Sequence, residues 1–517
     1  MNYDSDVIIV GSGPAGAAAA LQLAEKTKPL VLDVGITAAH KASDQSYLTE
    51  TLGTELEGLS HITGQYLTPK LRSPLFRYVT GRWRELSPIR SQNFRGELSL
   101  AMGGFANAWG SGLYEFNDED LRGFPIRLAD LQPYYKRLTE HIGISGGDKL
   151  FGDPLVSDGS LFPPVPLSGP SKILYQRSRD LRASVSLDRK GIHIGRQRLG
   201  ILTRPHRGRA QYVFDGRDFF RPSKESIYHP GYTIRELQQC NKIDLKTGLL
   251  VKRFEESAEG IVVHALELET GAEVAFSTRA LLIGAGAINT ARIVLESFHE
   301  YTAKLPLLEN PVSFVPFVEL SALGSTLDRS SFTGAQLAVI FDGPHHPDRV
   351  QGSFYNLGGV LESDFFLDFP FSTRGNRYCL ANILGAMGVL QLFYSDAPGP
   401  GGYLSLAADG TLNVHCEQRR YGAVERILIK AFRALGFWSF PFLVRYGEPG
   451  GSFHYAGTLP MSHCETMKGL ATDPMGRLQR TRMVFAVDAS TFPLLPAKNL
   501  SLTIMANAMR IAAQVSI

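Results

Sequence analysis

Gly11-Ser12-Gly13-Pro14-Ala15-Gly16 carries the G-x-G-x-x-G spacing of a turn that cradles a pyrophosphate. Gly11 makes the tight turn, Gly13 lets backbone approach the phosphates, and Gly16 allows the following helix to pack on the preceding strand. Alone the motif is weak, but its context is present. Val7-Ile8-Ile9-Val10 reads as a buried strand, an alanine-rich helix runs to about Glu25, and Pro29-Leu30-Val31-Leu32 reads as a second strand ending at Asp33. A carboxylate there can accept hydrogen bonds from a ribose diol; an ordinary glycine-rich turn with a surface acid is the plainer alternative. A second turn, Gly284-Ala285-Gly286-Ala287-Ile288-Asn289, lacks the third glycine and is expected to add backbone contacts to the first nucleotide. Far downstream, His454 stands between Phe453 and Tyr455. It can serve as a base near neutral pH or as a structural histidine. Asn499 precedes the apolar helical run Ser501 to Ile511 and can cap it, Asp488 can be a turn residue, and Trp109 can be core.

The elements that must position these residues fit a large soluble enzyme. The chain has 517 residues, 44% apolar and 20% charged, which excludes collagen, coiled coil and wholesale disorder. The uncharged stretch Val7 to Ala24 is punctuated by Gly11, Gly13, Pro14 and Gly16 and follows an acidic start, so it reads as strand, turn and helix, with no transmembrane anchor expected. Cys240, Cys379, Cys416 and Cys464 stand far apart, suggesting neither disulfides nor a zinc site, and a reducing, cytoplasmic location is the expectation; no metal is expected. A dinucleotide unit opening at residue 7 favours FAD over NAD. Without a second complete module for NAD(P)H, the flavin is expected to be reduced by the substrate itself.

Four separated segments resemble the glucose-methanol-choline (GMC) family of FAD oxidoreductases. They are Gly11 to Gly16 with Asp33; Gly103-Gly104-Phe105-Ala106-Asn107-Ala108-Trp109-Gly110; Leu281-Leu282-Ile283-Gly284-Ala285-Gly286-Ala287-Ile288; and the stretch from His454 to Arg510. This last one contains His454-Tyr455-Ala456-Gly457-Thr458-Leu459-Pro460-Met461, Val487-Asp488-Ala489-Ser490 and Pro496-Ala497-Lys498-Asn499-Leu500-Ser501. The resemblance implies FAD held by Gly11, Ser12, Gly13, Ala15, Gly16, Asp33, Gly103, Gly104, Asn107, Ala108, Val251, Ala285, Gly286, Asp488, Ala489, Asn499 and Ser501. It also implies a catalytic pair, His454 to take a hydroxyl proton and Asn499 to orient the substrate. The implied activity is oxidation of an alcohol, such as a sugar, polyol or natural-product hydroxyl, to a carbonyl with hydride transfer to flavin N5. A non-redox lyase or decarboxylase of the same fold is the alternative. Some sugar oxidases of the family attach FAD through a histidine where Ala108 stands here, so noncovalent FAD is expected. Leu459-Pro460 stands where many members have Cys-Arg, and no cysteine follows Leu199 to Pro205, where certain bacterial relatives carry a cluster.

The resemblance implies an α/β fold: a discontinuous Rossmann-like FAD-binding domain (1–129, 236–309 and 449–517) and a substrate-binding domain with a lid (130–235 and 310–448), built on an antiparallel β-sheet roofed by helices. Turn signals at Glu259-Gly260 and Thr270-Gly271 suggest a strand meander over residues 240–283. Val312 to Leu320, Gln336 to Phe341, Tyr403 to Ala407 and Thr411 to His415 read as strands of the roof, and Gly422 to Leu435 reads as a helix. The formal charge is only +3, yet Arg189 to Lys224 holds ten Lys and Arg against Asp215 and Asp218. That segment reads either as an electropositive rim for an anionic substrate or as a solvated loop paired with acids elsewhere, with Tyr212, Phe219 and Phe220 able to anchor a lid. The expected partners are a small alcohol or sugar and oxygen or another electron acceptor, with no nucleic acid.

Overall fold

The structure is a computed structural model and describes residues 3–38, 71, 74–147, 161–214, 225–326, 332–343, 349–356, 371–463 and 470–516. Its centre is the opening strand Ser5–Val10, which pairs in parallel with Leu30–Leu32 on one side and Glu273–Ile283 on the other. A strand with sheet on both edges and cover on both faces must be apolar throughout, and Val7, Ile8, Ile9 and Val10 are. Alternation sends Val7 and Ile9 into one core and Ile8 and Val10 into the other.

Two devices bring distant chain segments to this strand. Glu273–Ile283 changes partner midway: residues up to Thr278 pair antiparallel with Gly260–Glu267 of the meander, and Leu281 to Ile283 pair in parallel with Val484–Ala486. On the first face, the alanines of the helix Pro14–Leu23 allow close packing against the helix Ser501–Gln514, which also packs on Leu128–Ile142. The Gly422–Arg433 helix and the meander with its two turns match the sequence expectation.

The second large sheet is antiparallel, in the order Phe437–Trp438, Val312–Glu319, Met387–Phe393, Val350–Asn356, Ala335–Phe341, Ile192–Arg196, with Arg445–Tyr446 also paired to Val312–Glu319. Val315, Phe317, Leu390, Leu392 and Phe354 face a core shared with the helix Gly422–Arg433. Their neighbours of opposite parity, Phe314, Val389, Gln391, Phe393 and Tyr355, face a cavity. The runs at 403–407 and 411–415 are strands, as expected, but not of this roof. Gly402–Leu406 and Leu412–Cys416 join Leu305–Pro306 and Ile89–Arg90 in a separate sheet, because Leu404, Leu406, Leu412 and Val414 pack into the core on the second face of the dinucleotide sheet.

Candidate active site

The cavity, about 660 Å³, lies between the dinucleotide sheet and the antiparallel roof. The first turn forms its floor. Gly11 has φ +96°, and a Cβ there would come within 2.5 Å of the Gly284 carbonyl, so the two glycine turns abut. A Cβ on Gly16 would lie 1.8 Å from the Gly11 carbonyl, whereas one on Gly13 would enter open space. These are the packing and access roles that the spacing implies.

Asp33 closes this end. One carboxylate oxygen accepts from the Ser12 N–H and the other from the Gly35 N–H, and burial, outweighing those donors, pushes the carboxyl up to about 6. Ser12 Oγ accepts from Gly103 N–H at 2.9 Å, fastening the loop around Gly103 and Gly104 over the first turn. Gly104 and Ala108 line the cavity. Gly16, Gly103 and Asn107 do not; they brace what lines it. Asn107 Nδ2 donates to the carbonyls of Met102 and Gly104. Trp109 combines both of its readings, lining the cavity while packing on the core and donating from Nε1 to the Tyr228 carbonyl at 2.9 Å.

Asp488 bolts the second turn to the C-terminal segment. It accepts from Gly286 N–H at 2.8 Å, from the Thr290 hydroxyl and from Ser490 N–H at 2.9 Å. Burial raises its pKa. Ala285, Gly286, Ala489 and Val251 all line the cavity, as do two cations that no motif announced, Lys252 and Arg292. Burial lowers the proton affinity of both, and Arg292 is spent on the carbonyls of Pro88 and Gly410.

At the other end the cavity receives His454, Asn499 and Ser501. The short strand Tyr455–Ala456 pairs antiparallel with Leu308–Glu309, in register Glu309 with Tyr455, so the next position along the ladder sets Asn310 beside His454. Their side chains meet, His454 Nδ1 to Asn310 Oδ1, at 2.9 Å. The imidazole stacks on Phe393 with centroids 4.9 Å apart, and burial lowers its pKa to about 4. The preceding Phe453 has φ +58° and rests on Phe105, which fixes the approach of the chain to His454.

Asn499 does not cap the following helix. Leu500 holds the cap position without a side-chain bond, while Asn499 Oδ1 accepts from Gln351 Nε2 at 3.3 Å. Gly112 is packed so closely on it that a Cβ would sit 2.8 Å from that oxygen. Lys498, buried, pairs at 2.7 Å with Asp120, whose side chain is largely shielded, and anchors the segment. Ser501 and Ile504 carry the first turn of the helix into the cavity wall, bringing its positive dipole end with them.

The basic segment is less of a rim than the charge count suggests. Arg198 is buried against Glu115 at 3.1 Å, Arg207 pairs with Glu236 at 2.7 Å, and Arg209 is buried and donates to the Ile142 carbonyl. Tyr212 is buried with Phe332. Residues 215–224, with Asp215, Asp218, Phe219, Phe220 and Lys224, lie outside the described residues, as does Cys464. Among the described residues no helix is long and apolar enough to cross a membrane, and no group of three or more His, Cys, Asp and Glu could hold a metal ion.

A family model described as GMC oxidoreductase matches residues 445–508, the stretch that holds His454, Asp488 and Asn499. The chain is 26% identical to a 6'''-hydroxyparomomycin C oxidase of Streptomyces lividus, over 98% of this chain and 90% of that protein. It is 23% identical to a 2-methyl-1,2-propanediol dehydrogenase of Mycolicibacterium austroafricanum, over 57% of this chain and 51% of that one. Its fold is similar to a pyridoxine 4-oxidase from Mesorbium loti (TM-score 0.61, 14% identity, 99% of both chains). It is also similar to a formate oxidase of Aspergillus oryzae RIB40, solved to study FAD modification (TM-score 0.61, 13% identity, 98% of this chain and 97% of that one). The family model over the C-terminal stretch, these relatives and the shared fold together support an oxidoreductase of GMC type, a flavoprotein acting on CH–OH groups.

Proposed function

We propose that the protein binds FAD noncovalently and oxidises a hydroxyl group of a sugar, polyol or natural product to a carbonyl, with His454 as base and Asn499 as the orienting group. What carries this reading is that His454 and Asn499 open into the same cavity as the turn Gly11 to Ala15. The residues fit the cofactor. Gly13 and Gly286 leave room where a side chain would enter open space, Asp33 is a buried acceptor that could hold a ribose diol, and the N-terminus of Ser501–Gln514, in the cavity wall with His454 and Asn499, would favour the negative charge of a reduced flavin. Ala108 offers no side chain for attachment. When bound, FAD supplies the two-electron acceptor for the carbinol hydride.

The chain's residues manage the proton. His454, whose pKa burial holds near 4, is neutral and able to accept across the physiological range. With Nδ1 engaged by Asn310, Nε2 takes the hydroxyl proton as the carbon gives up its hydride and the C–O bond becomes a carbonyl. Asn499, whose Oδ1 is held by Gln351, has its Nδ2 free of that bond to donate to the substrate oxygen. The electron acceptor that completes turnover is oxygen or another oxidant. The segments 1–129, 236–309 and 449–517 would form the cofactor domain, with the remainder covering the substrate, and the protein would work in the cytoplasm.

The test is anaerobic bleaching of the flavin by 2-methyl-1,2-propanediol, pyridoxine, glucose, glucose 6-phosphate and paromomycin, with NADPH as control. Bleaching by a hydroxyl compound is expected, and bleaching by NADPH alone would overturn the reading, as would turnover without flavin reduction. The His454→Ala variant should slow bleaching by at least about two decades with the flavin spectrum intact.

A further inference from the structure

Asn310 is buried, stands in none of the motifs above, and bonds both to His454 and to the segment that carries Asn499. Its Nδ2 donates to the carbonyl of Tyr394 at 2.8 Å and to that of Pro496 at 3.0 Å. Carbonyls only accept, so these two bonds fix which end of the amide is which, and Oδ1 must face His454. An amide oxygen accepts and cannot donate. The nitrogen 2.9 Å from it, His454 Nδ1, must therefore carry the proton, which leaves Nε2 with its lone pair.

We propose that Asn310 is a positioning residue that locks His454 in its Nδ1-protonated tautomer, keeps Nε2 ready to accept the substrate proton, and ties the ring to the segment carrying Asn499. The tie is direct: Pro496 lies three residues before Asn499, and the same amide that holds the imidazole holds the Pro496 carbonyl. Phe393 fixes the plane of the ring by stacking, but a stacked ring can still exchange tautomers; the amide removes that freedom. The catalytic meaning of this clamp rests on His454 being the base.

The charged and titratable groups on the elements packed around the ring are Glu309, Asp396 with Arg419, Tyr394, Arg445, Tyr446, Tyr455, and Lys498 with Asp120. Burial is the resolved cause acting on His454. Glu309, adjoining Asn310, is the neighbour whose own titration must be separated, because burial pushes it up to about 8.

The experiment uses the FAD-loaded full chain labelled with 15N-histidine. Long-range 1H–15N correlations report the ring, with His454 assigned by its loss in His454→Gln. The wild-type ring should show Nδ1–H at pH 7, and this measurement needs no Asn310 variant to fold. In Asn310→Asp, a carboxylate facing Nδ1–H favours the imidazolium, so the midpoint should rise by at least about one unit. In Asn310→Leu, both tautomers should appear. Bleaching by whichever named hydroxyl compound bleaches the wild type should slow at least about tenfold in Asn310→Leu at pH 7. In Asn310→Asp it should recover as pH rises past the new midpoint, with or without Glu309→Gln. Nε2–H in the wild-type ring, or unchanged tautomer and pH profile in both variants, would overturn the clamp even where His454→Ala has confirmed the base. If His454→Ala bleaches at the wild-type rate while Nδ1–H is seen, the proposed chemistry fails and the clamp loses its catalytic meaning.

Discussion

Two glycines three residues apart make opposite predictions. Gly13 has backbone angles that any residue can adopt, and a methyl group there would meet nothing within 4 Å, so Gly13→Ala should leave the apoprotein's melting temperature nearly unchanged. The methyl would occupy the space where phosphates are proposed to sit, and FAD binding should weaken on the order of tenfold or more, about 1.4 kcal/mol, in a fluorescence titration. Gly16→Ala forces a carbon within 1.8 Å of the Gly11 carbonyl and should destabilise the apoprotein itself. Equal FAD affinity in Gly13→Ala and wild type would remove the turn from the cofactor site. Most of the nucleotide end was legible in the sequence, because a turn, a strand end and a helix start are local features. Asn310, Gln351 and Phe393 were not: each acts across a strand register or a stacking contact, and nothing in the residues beside them records it.

The element that presents Asn499 hangs on a charge pair. Lys498 and Asp120 are 2% and 6% exposed, far apart in sequence, and joined at 2.7 Å. Removing one partner strands the other, so Lys498→Met should destabilise by about 3–5 kcal/mol, and Lys498→Met with Asp120→Leu should recover much of that loss in chemical denaturation. If the double variant is as unstable as the single, the pair is not the anchor. The strand runs and the helix Gly422–Arg433 were readable from periodicity. Which sheet a strand joins was not: the runs at 403–407 and 411–415 read like roof strands, yet Leu404 and Val414 find their partners on the far face of the dinucleotide sheet.

The whole molecule carries buried titrations of opposite sign. His141, His229 and His454 are held neutral, chiefly by burial, at about 3, 4 and 4, against an ordinary value of 6.5. The unfolded chain takes up those protons first, so their contribution is complete above about 6.5 and is lost as pH falls from there towards 4 and, for His141, towards 3. Glu309 is raised from 4.5 to about 8, so its contribution is complete below 4.5 and is lost as pH rises through 8. Melting temperature against pH should form a dome, falling on the acid side less steeply in His229→Asn and on the alkaline side less steeply in Glu309→Gln; unchanged slopes would place the titrations elsewhere.

The strand Glu273–Ile283 divides its edge between a meander that precedes it closely and a strand two hundred residues later. On a ribosome, the opening βαβ unit and the meander can assemble early. The parallel edge of Leu281 to Ile283 and the face of Pro14–Leu23 then stay bare until Val484–Ala486 and Ser501–Gln514 have been synthesised. Until then that apolar surface stays exposed to aggregation, and the cavity shared by the first turn, His454 and Asn499 cannot be complete before the C-terminal segment arrives.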